Sequence, residues 1–279
     1  MTPPWIAVPS RGRLRTRTLE LLSHAGYATS MLHGSESIAR IEDLSFIEMR
    51  SRDAARALAA GQVDAAFIAT DLVEEHKLGE LETLPLGFAR SDLVLASRDD
   101  DGRVTADDLA GCAVATHLPN LTRRFFARRG VDATVLELGG SLEGVCAAGI
   151  ADAIVDLRET GASLARNRLR VLEVIAGCEA QFVRRTDSPV LADMALRLGA
   201  AMAAGRHRYV MLHVELAQVD KLRHLFPGLA SPTVLPLAGR TDLVAVHFVV
   251  GADELWERLG DLRALGASGI VAVSPQAIL

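Results

Sequence analysis

A chain of 279 residues is long enough for about two domains and a smaller third module, and no apolar run in it approaches the ~20 residues of a membrane span. The net charge of −5 and an aromatic content of 4% argue against nucleic acid as a partner, because duplexes ask for a basic face and single strands for stacking platforms. The N-terminal apolar segment is too short for a signal peptide, which points to the cytoplasm.

In chain order, WIAVP (5–9) reads as a strand followed by the turn SRGR, and LRTRTLELLSHAGY as a helix closed by Gly26. FIEMR (46–50) is a strand, SRDAARALAAGQ a helix, VDAAFIAT (63–70) a buried strand and LVEEHKL a short helix. LVLASR (93–98), CAVATH (112–117), TVLEL (134–138) and ADAIVDL (151–157) are further strands, with helices at NLTRRFFARRG and SLEGVCAAGI. This alternation predicts two α/β units with mainly parallel sheets. A long amphipathic helix over 188–206 precedes a β-α-β-β-α-β pattern across 208–275, the order of a ferredoxin-like α+β module.

Each strand-to-helix turn in the first two-thirds carries small or polar residues: SRGR, ATD, HLPN, GGS and ETGAS. In open α/β sheets ligands sit at the carboxyl ends of strands, so these turns are expected to line one cleft. The densest signal is GIADAIVDLRETGASL (149–164). Asp156 ends an apolar strand, and the turn after it offers consecutive N–H groups, Gly161 and the hydroxyls of Thr160 and Ser163. That pattern suits a phosphate beside a hydroxyl-rich sugar, or an ordinary capped helix. Arg11 and Arg13 flank Gly12 and form a second anion-binding candidate, or two solvated arginines in a turn.

The chain has no Walker, HExxH or GxSxG motif, and its three cysteines, Cys112, Cys146 and Cys178, have no metal-ligand spacing and read as small buried hydrophobes. His24, His33 and His76 need no special role. Positioning and electrostatics must carry any chemistry.

VPSRGRL, PLGFAR (85–90), VATHLPNLTRRFF (114–126), GGSLEGVCAAGIADAIVDLRETGASL (139–164), SPTVLPLAG (231–239) and LGASGIVAV (265–273) together resemble the ATP phosphoribosyltransferase family, in its long form. The likeness is collinear over nearly the whole chain. It implies a catalytic part with two α/β lobes like those of type II periplasmic binding proteins, and an ACT-like regulatory domain. The lobes would comprise residues 1–90 with 180–206, and 91–179; the regulatory domain would be 207–279. It also implies ATP and phosphoribosyl pyrophosphate as substrates, a Mg²⁺ requirement, feedback inhibition by histidine, and assembly to dimers and hexamers.

By that resemblance the phosphoribosyl pyrophosphate loop falls on Asp156, Glu159, Thr160, Gly161, Ala162, Ser163 and Leu164. Arg11, Arg13, Arg50, Asp71 and His117 match other parts of the cleft, and His213, Thr233, Leu235 and Ala272 match the histidine pocket. There are departures. Arg11 replaces the family's lysine, Ala66 and Ala69 replace glycines near the nucleotide path, and His117 replaces an aromatic residue. Cys146 stands for a proline, Arg158 for an apolar residue, and Ala54–Ala55 for Ile-Pro. A two-lobed binding protein without catalysis, or a transferase with another acceptor, are the alternative readings.

Overall fold

The structure, a computed structural model, describes residues 2–32, 37–185, 187–229 and 231–279, so His33 lies outside the described residues. The chain forms two compact units, one of Met1–Glu20 with Ala28–Ala195, the other of Leu21–Tyr27 with Leu196–Leu279. The first unit opens with β1 (Trp5–Pro9), α1 (Gly12–His24), β2 (Ile38–Ile41), β3 (Leu44–Met49), α2 (Ser51–Ala59), β4 (Ala65–Ala69), α3 (Thr70–Glu75) and β5 (Glu82–Pro85). The chain then crosses to a second lobe of β6 (Ser91–Arg98), β7 (Ala113–Thr116), α4 (Pro119–Arg129), β8 (Thr134–Glu137), α5 (Leu142–Ala147), β9 (Ala153–Arg158), α6 (Ala162–Arg166) and β10 (Leu169–Cys178). It returns through β11 (Ala180–Arg184) and continues into α7 (Pro189–Gly205).

The first lobe has the sheet order β2-β3-β1-β4-β11-β5 and the second β10-β6-β9-β7-β8. β1 lies parallel to β3 and β4, and β7 parallel to β8 and β9, so these are βαβ units. Ile6, Ala7 and Val8, and likewise Ala65 to Ile68, are fully buried, because helices cover both sheet faces. The expectation of mainly parallel sheets is corrected. β2, β11, β5, β6 and β10 all pair antiparallel. The reason is connectivity: the strands that bring the chain into each lobe, β6 and β11, run against the βαβ strands and leave β10 and β5 as their antiparallel neighbours, while β2 folds back on β3 as a hairpin.

Cys146 and Cys178 are buried as expected, but Cys112 is only half-buried and accepts a contact from Arg103. Burial pushes the Cys178 thiol up to about 12, so it stays protonated and inert.

The second unit contains β12 (His207–Glu215), α8 (Val219–Leu225), β13 (Thr233–Pro236), β14 (Leu243–Gly251), α9 (Ala252–Glu257), α10 (Leu259–Ala264) and β15 (Ser268–Val273). Its sheet is wholly antiparallel in the order β13-β14-β12-β15, the ferredoxin-like arrangement. Val210, Leu212, Val214, Val246 and Phe248 pack on Leu222, Phe226, Leu255 and Leu262 of the helical layer. The single helix expected over ELWERLGDLRALGA is two, broken at Arg258, whose guanidinium donates to the Leu225 carbonyl at 2.9 Å. Gly260 just beyond weakens helical continuation. Among the described residues no helix is long and apolar enough to cross a membrane.

Candidate active site

β9 runs through the middle of the second lobe's sheet, and Ala153, Ile154 and Val155 are buried in it. The strand then surfaces. Asp156 is half-buried, Glu159 and Thr160 are exposed, and Gly161 takes φ +79° to start α6. The hydroxyl of Thr160 accepts the Ala162 N–H at 3.4 Å. α6 has five residues, so its dipole adds little to anion binding, and the turn's own N–H groups and hydroxyls are what it offers. Leu164 is buried in the lobe's core, so only its backbone can face a ligand.

The sequence did not single out Glu143, which stands beside this turn on α5. Ser163 Oγ donates to Glu143 Oε1 at 2.5 Å. Burial raises the Glu143 carboxyl, but bonds from Ser163, its own N–H and Ser141 outweigh that and hold it below the ordinary range. Only the spacing GGSLEG hinted at it, and a lone Glu after a turn is an ordinary helix-start residue.

Asp156 accepts the N–H of Leu157 at 2.8 Å. Burial pushes its carboxyl above the ordinary range; that N–H and His117 pull it back, Glu143 pushes it further, and Arg52 pulls it back. Such a carboxylate gains from neutral hydroxyl donors, which satisfy its oxygens without asking for more charge. A ribose diol is that kind of donor. His117 fixes its own tautomer: Nδ1 lies 2.6 Å from the Leu138 carbonyl, which can only accept, so Nδ1 carries the proton and Nε2 is left for a ligand.

Asp71 is 5% exposed on α3, and its Oδ1 has no hydrogen-bond partner among the described residues. Burial pushes its carboxyl up to about 6, with Leu72 and its own N–H opposing and the charges of Asp156 and Glu75 adding to the rise. Asp71 thus feels the charge of Asp156, and Asp156 that of Glu143.

Contacts join the strand-end turns in two groups. Arg13, after β1, reaches Glu159 of the loop after β9 at 3.3 Å and also donates to the Arg90 carbonyl. Arg52, after β3, lies 3.4 Å from His117, after β7, which bonds to the turn after β8. Arg11 and Arg50 are exposed and make no ion pair among the described residues. A cavity of about 630 Å³ opens at the loop and is lined by Thr70, Arg90, Asp92, Arg158, Glu159 and Glu179, among others.

Several expectations change here. The HLPN turn is no free anion site, since the buried Glu75 of the other lobe already accepts the N–H groups of Asn120 and Leu121 at 3.0 and 2.8 Å. That carboxylate caps α4 and pins the lobes together at the cleft's base. Ala66 pairs with Ala7 and Val183 inside the core, so its methyl group is filler and not an obstacle to a nucleotide. Arg158 faces Asp92 across the β6–β9 ladder at 2.5 Å, a cross-strand ion pair that aligns the start of the loop. Asp152 accepts the Ala113 N–H at 2.9 Å and the Arg103 guanidinium at 2.9 Å, a structural brace at the strand's start. In the second unit His213, Thr233 and Leu235 share the sheet face away from the helices, whereas Ala272 pairs with the core residue Val210 and points to the other face.

Residues 50–199 match the family model described as ATP phosphoribosyltransferase, and residues 204–275 that of the HisG C-terminal domain. An ATP phosphoribosyltransferase of Gemmatimonas aurantiaca is 36% identical over 280 residues, covering 95% of this chain and 96% of the relative. Another from Maricaulis maris is 35% identical over 292 residues, covering 98% of each. Among solved structures, the ATP phosphoribosyl transferase (HisG:HisZ) complex from Thermotoga maritima aligns with a TM-score of 0.61 and 27% identity over 70% of this chain and 96% of that one. XAC2383 from Xanthomonas citri bound to ATP, at 14% identity and a TM-score of 0.50 over 80% of this chain and 88% of its own, shares the fold.

Proposed function

Because the chain belongs to the ATP phosphoribosyltransferase family, and so catalyses the first step of histidine biosynthesis, we propose that the loop after β9 is where the phosphoribosyl group is held and transferred. The observation that carries this reading is the loop itself: β9 ends at the half-buried Asp156, exposed Glu159 and Thr160 and then Gly161 at φ +79° follow it, and Arg13 of the turn after β1 reaches Glu159 at 3.3 Å. Asp156 accepts the ribose hydroxyls, and the N–H groups of residues 160–163 with the Thr160 hydroxyl hold the 5′-phosphate. Ser163 contributes a donor only by releasing Glu143.

The N1 lone pair of adenine attacks C1 as the C1–O bond breaks, and that bond's electrons leave with pyrophosphate. Positive charge develops on the ribosyl ring and then on the alkylated adenine. Asp156, holding the ribose hydroxyls, carries the charge that stabilises this positive sign. Arg11, Arg13 and Arg50 serve the phosphates, and the lobes exclude water while holding N1 against C1. Among the described residues there is no group of three metal-ligating side chains. In this reading Mg²⁺ arrives on the polyphosphate oxygens of the substrates.

The same reading makes residues 1–90 with 180–206 one catalytic lobe, 91–179 the other and 207–279 a histidine-sensing domain in a dimer or hexamer in the cytoplasm. Support for the regulatory part is the match of 204–275 and the shared open face of His213, Thr233 and Leu235. Ala272 does not share it. Assay of the full chain with ATP, phosphoribosyl pyrophosphate and Mg²⁺ is expected to release pyrophosphate; a folded chain that releases none is a binding protein instead. Added histidine is expected to suppress the release, and His213→Ala to relieve that suppression without changing the uninhibited rate. Equal inhibition of both proteins would move the histidine site elsewhere.

A further inference from the structure

The cleft has a second opening, about 360 Å³, between the end of β3 and the end of β8, lined by Arg50, Arg52 and Arg56 with Asp53 and Glu137. Arginines outnumber carboxylates in it, three to two. Arg52 approaches His117 Nδ1 at 3.4 Å, yet that nitrogen's proton is directed at the Leu138 carbonyl, so Arg52 finds no acceptor there. Arg50 makes no ion pair among the described residues. Arg56 reaches across to Glu137 of the other lobe at 3.3 Å, with the two side chains 59% and 52% exposed. An ion pair that exposed is weak and readily exchanged.

Transfer of a phosphoribosyl group to ATP brings two polyanions into one site, where their phosphate charges repel each other. Each phosphate chain therefore needs a cationic surface set back from the reacting atoms. Planar guanidinium forks suit phosphate oxygens, and three of them share this opening beside His117.

The geometry points to a polyphosphate subsite formed by Arg52 and Arg56 alongside Arg50, with Glu137 as a stand-in anion that holds Arg56 until phosphate oxygens displace it. This rests on the phosphoribosyl-transfer reading above. The chain of phosphates is either the triphosphate of ATP or the pyrophosphate of the other substrate, and kinetics distinguish them.

Two measurements on the full chain test the inference. Inorganic tripolyphosphate, titrated by calorimetry, is expected to bind the wild-type protein. Arg52→Ala and Arg56→Ala should each weaken it roughly 10-fold or more, as for a lost charge-assisted hydrogen bond, while Glu137→Gln tightens it. In steady-state assays Arg56→Ala is expected to raise one KM and Glu137→Gln to lower the same one. A change confined to ATP assigns the nucleotide's triphosphate; one confined to phosphoribosyl pyrophosphate assigns the leaving pyrophosphate. If Arg56 and Glu137 only tie the lobes together, the two substitutions shift binding and KM in the same direction, and the inference is overturned. Unchanged tripolyphosphate affinity in Arg52→Ala and Arg56→Ala overturns it as well. Tripolyphosphate binding that follows the expected pattern in a protein that releases no pyrophosphate would keep the subsite and sink the transferase reading.

Discussion

Asp156→Ala is expected to lower kcat/KM for pyrophosphate release by about 100-fold or more, the scale on which a single preorganised polar group acts on a transition state. The side chain's hydrogen bond is to its neighbour Leu157, so its removal breaks no long-range hydrogen bond among the described residues. Burial holds its carboxyl above the ordinary range, and ionising it therefore costs the folded state. The Ala variant should accordingly unfold in urea no earlier than wild type at pH 8. Asp156→Asn separates two contributions. It keeps an acceptor for a ribose hydroxyl but removes the charge that faces the cationic transition state, so its loss should fall in kcat more than in KM. An Asp156→Ala protein of unchanged kcat/KM would remove the ribose contact from this loop.

Asp71→Asn is expected to stabilise the protein at pH 8 while impairing it as an enzyme. The carboxyl is pushed from its ordinary 3.8 to about 6 by burial, so the native state binds the proton more tightly than the unfolded chain. Stability is therefore lost as pH rises from 3.8 to about 6 and stays lost above it. A shift of that size corresponds to roughly 3 kcal/mol, and part of it should return in the variant, about 1–3 kcal/mol. The amide oxygen can still accept the Leu72 N–H. Urea midpoints at pH 8 and near pH 4 check the sign: the variant's advantage should be present at the first and vanish at the second. Pyrophosphate release should fall about 10-fold or more, because a buried carboxylate with an empty oxygen is strain kept at a functional site. A variant less stable than wild type at pH 8 would mean that the charge is needed for folding.

Much of this site lies within one local stretch, and that part could be read directly. Strand, acid, turn, Gly161 and helix start follow one another in GIADAIVDLRETGASL, so chain order alone brings them together. The one internal puzzle of that stretch, Arg158, needed a neighbouring strand: it is explained by Asp92, distant in sequence. Glu143, Glu75 and the Arg56–Glu137 pair were missed for the same reason: each acts on a residue that only the tertiary fold brings near. The sheets show a second limit. β10 escaped notice because its ladder slips twice, between Val171 and Glu173 and between Val174 and Ala176, which destroys the alternation that marks a strand. β2 is a four-residue edge strand, and β11, flanked by β4 and β5, is buried along nearly its whole length and shows no alternation to mark it. The ferredoxin-like module was legible because Val210, Leu212 and Val214, and Val244, Val246, Phe248 and Val250, alternate without a break.

The central claim is that this cleft makes a bond between N1 of adenine and C1 of the phosphoribosyl group. Incubation with ATP labelled with ¹⁵N at N1 and phosphoribosyl pyrophosphate labelled with ¹³C at C1 tests it directly, by NMR of the product. A one-bond coupling between the two labels is expected, appearing as pyrophosphate is released and absent with Asp156→Ala over the same interval. Product carrying both labels without that coupling, or no product from a folded chain, would contradict it.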